Sequence, residues 1–108
     1  MEGLFHDEQR LKRDEQDRVV GVTASGPLRW GDGETSARIE ASIWKDGVEV
    51  ARGSTGDVPS SEAEWRFDAP LAGDAALEPG DATGRAKAFV QRAGSADAFE
   101  WETKVRLV

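Results

Sequence analysis

His6 is the only histidine in this 108-residue chain, and there is no cysteine. A Ser–His–acid or Cys–His nucleophile site would have to be built on His6. That residue sits in a run of charged residues and Gln, His6 to Arg18, and is a poor anchor for a rigid catalytic base. The 21 acids offer many carboxylate pairs, but that abundance makes any one pair uninformative. A glycosidase-type pair also needs a cleft and one carboxyl in apolar surroundings. A chain of this length leaves little material for one. No G-x-x-x-x-G-K-[ST] loop is present, and no G-x-G-x-x-G precedes a helical pattern. The chain is therefore expected to be non-catalytic and to need no cofactor.

Metal chemistry is similarly restricted. Structural zinc needs Cys and His ligands that are lacking. Asp32 and Glu34 lie in the turn GDGE, and Asp81 in PGDATG. Neither has the acidic residue at every second position that a calcium loop requires. Acids in such turns serve turn geometry, and no metal is expected.

What remains is recognition by aromatic side chains. Four tryptophans are many for this length. By alternation Trp65 and Trp101 face a core. Trp44 falls opposite Ala37, Ile39, Ala41 and Ile43, and Phe89 falls opposite Ala88 and Val90. Both are therefore expected to point outward, and Trp30 lies beside a turn. Exposed aromatics anchor protein interfaces or stack on sugar rings. Leu4, Phe5 and Leu11 are the only sizeable apolar groups near the N-terminus and are the other interface candidates.

These residues need elements to position them. Hydrophobic residues make up 38% and charged residues 32%, which suits one modest core. The net charge is −7 and the isoelectric point about 4.7. Such a chain repels phosphate backbones, and its basic residues are interleaved with acids, so nucleic acid is not an expected partner. No run of 18 apolar residues would span a membrane. The first residues lack the apolar stretch of a secretory signal.

From Arg18 onward the hydrophobic period is two. Strands are expected at 18–25, 36–45, 48–52, 62–68, 85–92 and 97–108, with a short continuation at 28–30. Asp46-Gly47 between alternating runs predicts a type I′ hairpin, which places Lys45 opposite Val48, Trp44 opposite Glu49 and Ile43 opposite Val50. Residues 54–61 read as a loop. Residues 69–83 read as a long connection, with a helical turn at 74–77. The expected fold is all-β: an antiparallel, immunoglobulin-like β-sandwich of six to seven strands over 18–108, with a small barrel as the alternative.

Residues 1–17 read as a separate charged arm. Glu8 with Lys12, and Asp14 with Arg18, are acid-to-base pairs in the helix-favouring order. Burying Leu4, Phe5 and Leu11 is worth about 1.5–3 kcal/mol each, whereas ordering some fifteen residues costs about 1–2 kcal/mol apiece. By area alone the arm should meet a partner and not its own domain. The expected role is a non-catalytic assembly or protein-binding module, such as a virion decoration or tail component or a surface-appendage domain. The rival role is a carbohydrate-binding module that uses Trp44 and Trp30.

Overall fold

A computed structural model describes residues 1–108. Eight strands follow in chain order: β1 (Glu2–Gly3), β2 (Glu8–Arg13), β3 (Val19–Arg29), β4 (Glu34–Lys45), β5 (Val48–Pro59), β6 (Glu64–Pro70), β7 (Gly80–Arg92) and β8 (Ser95–Leu107). There is no helix, so none is long and apolar enough to cross a membrane. The strands form one mixed sheet in the order β1-β3-β2-β8-β7-β4-β5, and β6 pairs with β3.

Strand β3 is the hub of one half. It pairs antiparallel with β2 through residues 19–23 and with β6 through residues 21–27. The two overlap along β3, so they occupy its opposite edges. The other half is the antiparallel series β8-β7-β4-β5. The halves join where β2 runs parallel to the end of β8, Glu8 opposite Arg106 and Gln9 opposite Leu107. At the far end Ala51 bridges to Leu71, and the Ala72 N–H donates to the Val50 carbonyl at 2.9 Å. The strand series thus curls back toward its own start, with the apolar side chains inside.

Alternation explains most of that core. Ala37, Ile39 and Ala41 of β4 pair with Val90, Ala88 and Ala86 of β7, and these, with Ile43 and Ala82, are buried. Trp65 sits at the centre, 1% exposed. The Phe5 ring meets it edge-on at 5.1 Å, and the Trp65 Nε1 donates to the Leu4 carbonyl at 3.0 Å. Phe99 and Trp101 pack at the margin, only partly buried.

The Asp46-Gly47 turn forms as expected, with φ of 51° and 77°. Lys45 opposes Val48 and Trp44 opposes Glu49. The next pair differs: Ile43 opposes Ala51, because a β-bulge inserts Val50. Val50 and Ala51 are both buried as a result. A second irregularity accompanies the extension of β5 through 54–59, where a loop was expected. There the Ile39 N–H is satisfied by the Thr55 hydroxyl at 2.9 Å. The connection after β6 shrinks to residues 71–79 and contains no helical turn at 74–77.

The charged N-terminal segment, whose i,i+4 pairs suit a helix, is neither helical nor a free arm: β1 and β2 stand there instead. The acid–base spacing that favours a helix is outweighed by backbone pairing on two sides. Leu11 N–H donates to the Val108 carbonyl and Val108 N–H to the Gln9 carbonyl, both at 3.0 Å, while β3 lines the other edge. Phe5 and Leu11, expected to await a partner, lie in the chain's own core at 4% and 6% exposure. These strand hydrogen bonds offset an ordering cost that apolar area alone does not cover. Gln9 adds to them and is fully buried. Its Nε2 donates to the His6 and Ser25 carbonyls, and its Oε1 accepts from the Ser25 N–H at 2.8 Å. A charged strand needs little apolar surface when its backbone and one amide side chain are this well satisfied.

Candidate functional site: the outward face of four strands

The side of β5, β4, β7 and β8 that turns away from the core carries the most organised polar surface. Their register sets four rows, each read from β5 through β4 and β7 to β8. The first row is Asp57, Arg38, Phe89 and Ala98; the second is Ser54, Glu40, Lys87 and Glu100. The third is Arg52, Ser42, Arg85 and Glu102; the fourth is Glu49, Trp44, Thr83 and Lys104. Period two places the β4, β7 and β8 sets on one side, and in β5 two register shifts bring Glu49, Arg52, Ser54 and Asp57 into line with them.

Charges on this face are mostly paired. Arg38 bonds Glu40 at 2.6 Å, and Arg52 bonds Glu49. Arg85 lies 3.5 Å from Glu102, and Lys87 lies 3.7 Å from Glu100, each directly across the β7–β8 pair. The two outward aromatics are capped by cations. Arg85 lies 4.4 Å over the Trp44 ring, and Arg38 lies 4.5 Å over the Phe89 ring with Lys87 at 5.2 Å. The Trp44 Nε1 donates to the Ser42 hydroxyl at 2.8 Å. Over the middle two rows lies an open depression of about 720 Å³. Ser42 and Ser54 are short, and Arg52, Arg85, Lys87, Glu40, Glu100 and Glu102 stand around them. A smaller hollow of about 420 Å³ continues past Arg38, Asp57 and Phe89.

The sequence-derived candidates do not converge. Trp44 and Phe89 share this face at its two ends and are partly buried under their cations. Trp30 lies outside it, partly buried, with its Nε1 donating to the Glu62 carbonyl at 2.6 Å. Leu4 is 42% exposed, while Phe5 and Leu11 are buried in the core. The residues that sequence reasoning passed over are Arg52, Ser54, Lys87, Glu100 and Glu102. The outward alternation of Lys87, Glu100 and Glu102 was visible; Arg52 turns outward only through the bulge at Val50, and Ser54 fell in the expected loop. The alignment into rows was visible for none of them.

Several polar groups outside this face are engaged in local contacts. His6 lies 3.3 Å from Glu64 on an exposed rim. Asp68 accepts from Lys12 at 2.7 Å and from the Thr23 hydroxyl at 2.8 Å, and these bonds hold its carboxyl below the ordinary value. Asp14 is lowered by the Arg18 and Gln16 backbone N–H groups that it caps, against a desolvation that raises it. Glu34 is buried with the N-terminal ammonium of Met1 at 2.9 Å and Arg92 at 3.6 Å. Burial pushes its carboxyl up. The ammonium, the Gly31 N–H and the Arg92 charge outweigh that and leave it lowered. No three Asp, Glu or His side chains cluster closely enough to hold a metal ion. No family model matches this chain, and no curated protein matches it.

Proposed function

We propose that this chain is a non-catalytic assembly or protein-binding module, and that the outward face of β5, β4, β7 and β8 is its binding surface. The curled sheet would serve as an immunoglobulin-like sandwich scaffold of the sort a small structural subunit uses. The observation that carries this reading is the lattice of paired charges with both outward aromatic rings already capped by cations. Such a surface is stiff and patterned, which favours register and selectivity over raw affinity. It offers no poised base: the only histidine is engaged with Glu64 on another rim.

A second reading, carbohydrate binding, draws on the depression. Its volume of about 720 Å³ falls in the range of small-molecule sites, roughly 300–1,000 Å³, and hydroxyls and carboxylates line it. The reading ranks second because a sugar ring stacking on Trp44 would have to displace the Arg85 guanidinium. Sedimentation of the purified chain, with tryptophan fluorescence during glycan addition, separates the two. Assembly gives a mass above that of one chain or a co-purifying partner, with flat fluorescence. Sugar binding gives a monomer whose fluorescence changes, and that outcome would reverse the order.

A further inference from the structure

We propose that the occupant of this face is a second copy of the same chain, related by a two-fold axis that runs along the strands between β4 and β7. This rests on the assembly reading above and names its partner and geometry.

The argument is one of charge. An axis along the strands, lying between two facing sheets, brings β5 over the partner's β8 and β4 over the partner's β7, row by row. Arg52 then meets Glu102, Glu40 meets Lys87, and Glu49 meets Lys104, each pair occurring twice by symmetry. Arg38 meets Phe89, a cation over a ring, and the Ser54 hydroxyl meets Glu100. No like charges face each other. The other in-plane axis, across the strands, exchanges the second row with the third and the first with the fourth. It sets Lys87 on Arg85, Glu100 on Glu102 and Asp57 on Glu49, three repulsive contacts per half. The pattern therefore selects one dimer over its alternative. Lys104, which has no acid within 4.0 Å in its own chain, gains Glu49.

The area is adequate for a weak dimer. Strands lie about 4.8 Å apart and alternate residues about 6.8 Å apart, so four strands by four rows cover roughly 500 Å² per copy. Both copies together bury roughly 1,000 Å², the lower limit for a specific interface. The depression over the middle rows is the space into which the facing side chains interdigitate, since packed sheets sit about 10 Å apart. An interface of this size held by exposed pairs should be salt-sensitive.

The test is complementary charge reversal read by sedimentation equilibrium. The wild-type chain should be dimeric at about 20 mM salt and dissociate toward monomer near 0.5 M, where the screening length falls below about 5 Å. Lys87→Glu alone sets Glu40 against a new acid twice per dimer, and Glu40→Lys alone sets Lys87 against a new base twice. Each should weaken dimerisation at least about tenfold. Mixed in equal amounts, the two variants restore attraction at both contacts and should form a heterodimer near wild-type affinity. Circular dichroism melting of each variant verifies that it is folded. If the wild type oligomerises but the reversals leave its affinity unchanged, or the mixture fails to pair, the proposed dimer is wrong while the assembly reading stands. A wild type that stays monomeric at low salt and high concentration overturns the dimer as well. In that case assembly must rest on a different, co-purifying protein.

Discussion

Replacing Phe5 by Ala tests whether the N-terminal segment belongs to the core or merely lies on it. The ring is 4% exposed and meets Trp65 edge-on at 5.1 Å. It also lies so close to the Gly84 backbone that a Cβ there would fall 2.8 Å from the ring. Phe→Ala in a core costs about 3–5 kcal/mol. Here the site can collapse little, because a sheet strand and the large Trp65 indole wall it. The lost edge-to-face pair accounts for about 0.5–1.5 kcal/mol of that cost. A domain of this length has a total stability of about 5–16 kcal/mol, so the change removes a large share. At about 4–8 °C per kcal/mol, the melting temperature should fall by about 15 °C or more. The assay is thermal and urea unfolding followed by tryptophan fluorescence, because Trp65 reports directly on the site. Leu4→Ala is the control: at 42% exposure its loss should stay below about 1 kcal/mol. A Phe5→Ala shift of only a few degrees would refute the reasoning. It would mean that the segment is the loosely held arm that its charge pattern suggests.

Gly47→Val should destabilise by about 1–2 kcal/mol, seen as a lower urea midpoint, because φ is +77° there and a β-branched residue resists it. Nothing crowds that position, so the loss would be purely a backbone effect. Gly84→Ala should cost about 1–3 kcal/mol by pressing on the Phe5 ring; in a Phe5→Leu background the cost should shrink, measurable as a double-mutant cycle. Acid should destabilise the fold. Glu34, Asp68 and Asp14 all have folded pKa values below their ordinary ones, so their contribution is present above the ordinary carboxylate pKa and is lost as pH falls through the folded values. Melting temperature against pH should therefore drop on the acid side, and Glu34→Gln should flatten that drop while lowering stability at neutral pH.

Strands with both an apolar face and a matching polar face could be read from the chain directly. Residues 36–45 and 97–108 are examples, and Asp46-Gly47 marked its turn because positive φ restricts residue choice. Outward placement of Trp44 and Phe89 follows from the same alternation. The bulge at Val50 could not be read, since two adjacent apolar residues there fit either face. The strands at 8–13 and 54–59 were hidden for another reason. Their order rests on backbone hydrogen bonds, on Gln9 and on Thr55, and none of these leaves a hydrophobic trace. The candidate face was half visible: which residues point outward is local, but which of them become neighbours depends on register between strands distant in sequence.

The parallel pairing of β2 with the end of β8 has a consequence in time. Gln9 and Leu107 are register partners, 107 − 9 = 98 positions apart. Closing a flexible loop of that length costs about 4 kcal/mol of chain entropy beyond a constant. During synthesis β2 emerges well before its β8 partner, so one of its two edges stays bare until β8 has been made. Until then an unsatisfied strand edge is open to the wrong neighbour. The alternating acids and bases of residues 7–18, surplus to the core, are suited to that interval: they keep the waiting strand solvated and discourage its pairing with other nascent copies. A topology dominated by such distant contacts also folds slowly, on the millisecond-to-second scale of all-β domains.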